Sequence, residues 1–136
     1  MSDLAATVRA MLPTLATACQ EADTLGTFVR WVPLPGDLRG LWHAPSRTIY
    51  LREGMAERSA VCTLLHEIEH VRRGDDGPQP ASVEARIDRA VACRVITAAE
   101  YVAAERVSGG RGSGAVAAEL GLPRWVVRAY RETLRT

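Results

Sequence analysis

The stretch Val61-Cys62-Thr63-Leu64-Leu65-His66-Glu67-Ile68-Glu69-His70-Val71-Arg72-Arg73-Gly74 decides how the chain reads. Val61, Leu64, Leu65, Ile68 and Val71 recur three or four positions apart, which lays an apolar stripe along one face of a helix. Glu53 and Glu57 stand before it and Arg72 and Arg73 close it, matching the helix dipole, and Gly74 is a stop. The pattern predicts a helix from Glu57 to Arg73. Inside it, His66-Glu67-Ile68-Glu69-His70 is an HExxH sequence. Two histidines four apart on a helix sit about 6 Å apart along the axis and nearly in line. Their imidazoles can converge on one Zn²⁺ at about 2.0–2.1 Å. Glu67 projects beside that face, where a carboxylate takes a proton from activated water instead of binding the metal. Glu69 is turned about 100° from His70 and is expected to face solvent.

A catalytic zinc site takes three protein ligands and keeps one position open. The search for a third ligand leads past the turn-rich loop Asp75 to Pro80 into a second helix, expected from Ser82 towards Ile96. Glu84 stands near its start, and Gly74, Gly77, Pro78 and Pro80 allow the chain to reverse and present it. Asp88, one turn further on, is placed to bond the far nitrogen of a ligand histidine and fix its tautomer. Glu69, Asp75 and Asp76 compete for the ligand role.

Towards the N-terminus, Leu4, Val8, Met11, Leu12 and Leu15 keep helical spacing, which predicts a helix over 3–23 that Pro13 kinks or splits. Thr27 to Val32 is β-branched and aromatic and reads as a strand. Leu38 to Ala44 and Arg47 to Leu51, joined by Pro45-Ser46, read as a hairpin with Ile49 and Leu51 on one face and Tyr50 on the other. The expectation is an α+β fold with a small antiparallel sheet of three strands packed on helices. Thr97 and Glu100 have the spacing of a capping box and start a helix to Val107. Ser108 to Gly114 holds four glycines and reads as a flexible linker. Two short helices follow, over 114–120 and 124–135. The division is therefore an N-terminal helix (1–25), a core (27–107), and a linker with a helix pair (108–136) within a single domain.

The 136 residues are 47% hydrophobic and 24% charged, with a net charge of +1, which argues against disorder and against a strongly basic nucleic-acid surface. Every basic residue is an arginine. The tail from Arg106 onward carries six arginines against two acids, and Arg124, Arg128, Arg131 and Arg135 share one stripe. That leaves DNA or repressor docking as a competing use for the tail, with a solvated arginine face preferred. Three cysteines, Cys19, Cys62 and Cys93, fit neither a disulfide framework nor a metal knuckle, so a reducing compartment is expected. Met1-Ser2-Asp3 lacks the basic start of a signal peptide and no apolar run is long enough to span a membrane, so the expected location is cytoplasmic.

Beyond these readings, the chain resembles a known family. Thr63 to Gly74, followed by Glu84-Ala85-Arg86-Ile87-Asp88-Arg89-Ala90-Val91-Ala92-Cys93-Arg94-Val95-Ile96 and preceded by Arg47 to Leu51, is similar to the ImmA/IrrE zinc metallopeptidases, especially small actinobacterial and actinophage members. The order HExxH then ExxxD is also the gluzincin arrangement. The resemblance implies a minimal zincin fold in which His66, His70 and Glu84 bind Zn²⁺ and Glu67 is the general base. It also implies a protein substrate, a helix-turn-helix repressor of a phage or mobile element.

Thr48 to Leu51 is expected to be an exposed edge strand that an extended substrate could join. His43 and Tyr101 are candidate partners for a developing oxyanion. Trp31, Trp42 and Trp125 read as core and rim aromatics, and Cys62 and Cys93 as packed among apolar neighbours. Two functions follow: a zinc endopeptidase acting on a cytosolic protein, or a binding module for a repressor or DNA whose zinc site is structural or vestigial.

Overall fold

The computed structural model describes residue 7 and residues 12–135. Most of the helix expected over 3–23 before Leu12 lies outside the described residues. From Leu12 on, the elements are α1 (Leu15–Thr24), β1 (Phe28–Val32), β2 (Gly40–His43), β3 (Thr48–Arg52), α2 (Glu57–Arg73), α3 (Ala81–Val95), α4 (Ala98–Ser108), α5 (Ser113–Leu120) and α6 (Arg124–Thr133). The fold is α+β, as its patterning predicts.

Helix α1 begins at Thr14, directly after Pro13. The Thr14 hydroxyl accepts from the Thr17 N–H, and the Thr17 hydroxyl accepts from the Thr14 N–H, a reciprocal cap. The chain then enters β1 with Thr27, whose N–H and hydroxyl both donate to the Ala22 carbonyl. The fully buried Ala18 and Ala22 let α1 approach α2 closely.

The sheet differs from the expectation in one respect. Its order is β1-β3-β2, with β2 and β3 antiparallel and β1 parallel to β3. It is therefore mixed, and β3 is its central strand and not an exposed edge. Alternation along a strand tells which face a residue takes but not which strand it pairs with. The segment between β1 and β2 carries Pro33, Pro35 and Gly36 and cannot form a tight hairpin. It crosses over so that β2 falls beyond β3, and the Arg52 guanidinium pins it by donating to the carbonyls of Gly36 and Leu38. At the β2–β3 turn, Arg47 adopts a left-handed conformation (φ 49°). Its guanidinium donates to the carbonyls of Leu25 and Gly26 and lies over the Trp42 ring, contacts that hold a backbone geometry unfavourable for a residue with a Cβ.

One face of the sheet (Trp42, Ile49, Leu51) packs against α2, whose Leu64, Leu65 and Ile68 are fully buried. Each such side chain contributes about 1.5–3 kcal/mol. Helix α3 lies against α2 through Ile87, Val91 and Ala92, and α6 runs along α3 with Val126 and Val127 fully buried. The final helices thus belong to the same core as the rest. The glycine-rich connection between α4 and α5 is shorter than expected, because Ser108 ends α4 and Ser113 begins α5. Gly109 and Gly110 take positive φ there, and Arg111 donates to the Ser108 carbonyl. Cys62 is fully buried, whereas Cys93 is exposed on α3 and not packed among apolar neighbours. Among the described residues no helix is long and apolar enough to cross a membrane.

Candidate metal centre

Helices α2 and α3 bring His66, His70 and Glu84 together. Glu84 Oε1 lies 2.9 Å from His66 Nε2 and 3.1 Å from His70 Nε2. The three residues form a group able to hold a metal ion. The fit can be judged from geometry. Ligand atoms about 2.0–2.1 Å from a tetrahedral ion stand about 3.3 Å from one another, so the two separations from Glu84 need to open by only a few tenths of an ångström, and all three ligand atoms lie within 4.8 Å of one another.

The far nitrogen of each imidazole is also held. Asp88 Oδ1 lies 2.9 Å from His66 Nδ1, and Asp75 Oδ2 lies 2.8 Å from His70 Nδ1. A carboxylate on Nδ1 fixes the tautomer that leaves Nε2 free to bind a cation. Asp88 therefore stands where its spacing from Glu84 suggests. Asp75, weighed as a rival ligand, orients His70 instead. The signal for it was in the sequence. Gly74 caps α2 in the left-handed conformation (φ 74°), and the Asp75 N–H donates back to the His70 carbonyl. A glycine in that position turns the chain back on the last helical turn, which brings Asp75 beneath the imidazole.

The electrostatics agree with the geometry. Burial opposes a charge on His66, but the carboxylates of Asp88, Glu67 and Glu84 outweigh it and raise the imidazole above its ordinary pKa. Burial likewise tends to raise Asp75, yet hydrogen bonds from His70 and Arg73 hold its carboxyl below the usual range. Glu67 is buried, and that burial lifts its carboxyl above the usual value against the pull of His66 and His70. It does not join the triad. It lines the cleft beside the triad, against Gly40 of β2.

A cleft of about 490 Å³ opens over these groups. Its walls include Leu38, Leu41, Trp42, Pro78 and Trp125. Strand β2 forms one rim and comes very close to α2. A Cβ on Gly40 would sit 2.6 Å from Thr63 Cγ2 and 3.3 Å from Glu67 Cγ, so only glycine fits there. Since Arg52 N–H donates to the Arg39 carbonyl, ladder parity turns the backbone groups of Leu41 and His43 towards β3. Those of Gly40 and Trp42 face the open edge. The strand beside the cleft with a free edge is β2, not Thr48 to Leu51.

Other expectations are placed elsewhere. His43 is exposed at the hairpin end of β2, with Nδ1 2.6 Å from the Ser46 hydroxyl. Tyr101 is buried, donating to Glu105 at 2.8 Å and accepting from Arg131 Nε at 2.9 Å. Neither residue lines the cleft, so neither can meet an oxyanion there. Their alternation and helical spacing gave a face but no distance to the metal helix. Trp125, read as a rim aromatic, has its ring edge-to-face with His66 at 5.9 Å. That contact joins residues 59 positions apart, and no local pattern encodes it. In the arginine stripe, Arg131 is engaged by Tyr101 and Glu105, Arg135 by Glu132, and Arg124 lies against Gly114. Glu69 pairs with Arg72 away from the cleft.

Compared with known proteins, the chain matches no family model, no curated protein and no solved structure.

Proposed function

We propose that the protein is a zinc-dependent endopeptidase. The observation that carries this reading is the convergence of His66 Nε2, His70 Nε2 and Glu84 Oε1 in an open cleft, with the buried Glu67 carboxylate beside them. His66, His70 and Glu84 would hold the ion. Two imidazoles and a carboxylate are a donor set that suits zinc and leaves one position open. When bound, zinc supplies an acidified water and polarises a carbonyl. The remaining chemistry falls to the chain. Glu67, set in a site that burial makes receptive to a proton, takes one from water on a carboxylate oxygen and returns it to the leaving amine. Asp88 and Asp75 keep both imidazoles in the tautomer that presents Nε2. The open edge of β2 offers the backbone groups of Gly40 and Trp42 to an extended peptide. Leu41, Trp125 and Pro78 supply apolar walls for its side chains.

The resemblance to ImmA/IrrE peptidases extends this reading to a cytosolic helix-turn-helix repressor as the substrate. A purely structural zinc would be enclosed by four protein ligands, whereas this triad faces a cleft, which favours catalysis over the binding-module alternative. The test is co-expression with candidate repressors, wild type against Glu67→Gln. Wild type should yield a truncated product. The variant should yield none while retaining about one zinc per chain. Equal effects of both proteins on the repressor, without cleavage, would overturn the peptidase reading.

A further inference from the structure

Trp42 is tied to the metal centre through its indole. Its indole Nε1–H donates to the backbone carbonyl of Asp75 at 2.9 Å. The other polar groups of Asp75 are also engaged: its N–H by the His70 carbonyl, its carboxylate by His70 Nδ1 and by Arg73 Nε at 2.8 Å. Asp75 is therefore a fixed link between the strand and the imidazole. Trp42 itself is buried on the core face of β2, with the Arg47 guanidinium over its ring.

We propose that Trp42 is a positioning residue that joins the open-edged strand β2 to His70 through Asp75. This rests on the zinc peptidase reading and deepens it. The indole fixes where the Asp75 backbone sits, which fixes the carboxylate, which fixes the ring plane of His70 and the aim of its Nε2. A substrate strand laid on β2 would thus bear on an element that holds a ligand in place. The neighbouring fit agrees with this. Gly40, two residues earlier, leaves no space between β2 and Glu67. Phenylalanine at position 42 would keep an aromatic ring but lose the indole donor and the volume of its second ring, so metal affinity and spectrum, not stability, separate the positioning role from packing.

The test compares zinc affinity, by competition with a chromophoric chelator, in wild type, Trp42→Phe, Asp75→Asn and the double variant. Losing a group that bonds a ligand histidine weakens metal binding by about 10–100-fold, so Asp75→Asn should fall in that range. Trp42→Phe acts one bond further out and should lose about threefold to tenfold. Because both lie on one chain of contacts, the double variant should bind no more weakly than Asp75→Asn alone. The visible spectrum of the cobalt-loaded protein should change in Trp42→Phe, as the His70 ring is freed to turn. An independent measurement needs no variant. On adding zinc to wild type, the Trp42 indole N–H resonance should shift while that of the exposed Trp31 stays in place. Wild-type affinity and spectrum in Trp42→Phe, losses that multiply in the double variant, or an unmoved Trp42 resonance would each overturn the proposal. Absence of zinc binding by wild type would instead bring down the peptidase reading, and this inference with it.

Discussion

Helices α2 and α3 carry two polar clusters on different faces, and the contrast shows what separates a group able to hold a metal ion from a structural ion-pair network. In the first, Glu21 of α1 is clamped between Arg94 of α3 (2.5 Å) and Arg72 of α2 (3.0 Å). Two guanidiniums face one carboxylate, with Glu69 close by, and the charges balance. In the second, the carboxylates of Glu84, Asp88, Asp75 and Glu67 surround two imidazoles, and among the described residues Arg73 is the one guanidinium paired there. Acids outnumber fixed cations, and three lone-pair donors point at one spot. The first cluster is complete. The second brings together three ligand atoms able to hold a metal ion.

The largest effect should come from Glu84→Ala. With zinc at a hundred times its dissociation constant, wild type should gain about 2.7 kcal/mol. For a chain of this length that is a rise in Tm of about 10 °C. The variant should lose nearly all of this rise. Its metal-free Tm should stay within about 2 °C of wild type, because removing one of several clustered like charges offsets the lost contacts. Thermal unfolding with and without zinc measures both. A variant that kept the rise, or that unfolded without metal at a much lower temperature, would make the second cluster as structural as the first.

The converse break is Glu21→Gln. It should lower stability by about 1 kcal/mol, or roughly 3–4 °C, and leave the zinc-induced rise untouched. The pH dependence sharpens it. The hydrogen bond from Arg94, followed by the charges of Arg94 and Arg72, outweighs burial and holds the Glu21 carboxyl below its ordinary value of 4.5. A carboxyl depressed in the folded state stabilises fully above its unfolded pKa, and that stabilisation is lost as pH falls through the folded value. The Tm gap between wild type and Glu21→Gln should hold from pH 7 to about 5 and close below about pH 4. A gap that widened in acid would reverse the assigned sign.

The two clusters were unequally legible in the sequence. The histidine pair and Glu67 lie within one helical turn, so spacing alone places them on neighbouring faces. Glu84 and Asp88 share a second helix, and the requirement for a third ligand singles out their face. The ion-pair cluster has no such signature, because Glu21, Arg72 and Arg94 come from three elements far apart in the chain. Pairing of β1 with β3 was hidden for a similar reason. The period of two in a strand orients side chains, but the choice of partner depends on where a proline-rich crossover sends the next strand. Trp125 and the indole bond of Trp42 are long-range contacts too. What repeats at short range could be read, and what depends on how helices and strands stack could not.

The smallest effect is the most discriminating, because Glu69 is the direct neighbour of His70 yet belongs to the other cluster. Its carboxylate pairs with Arg72 three residues on, at 3.1 Å, and 42% of the Arg72 side chain is exposed. An exposed pair at that spacing contributes about 0.3–0.5 kcal/mol, so Glu69→Ala should lower Tm by no more than about 2 °C. The zinc-induced rise should be unchanged, since the side chain leaves the helix about 100° from His70 and ends among arginines. Isothermal titration of zinc into the metal-free variant measures this directly. A clear loss of affinity would mean that the charge of Glu69 reaches across the helix to the triad. The two clusters would then be one electrostatic unit, and the division between a completed network and a waiting metal centre would fail at the residue where they come closest in sequence.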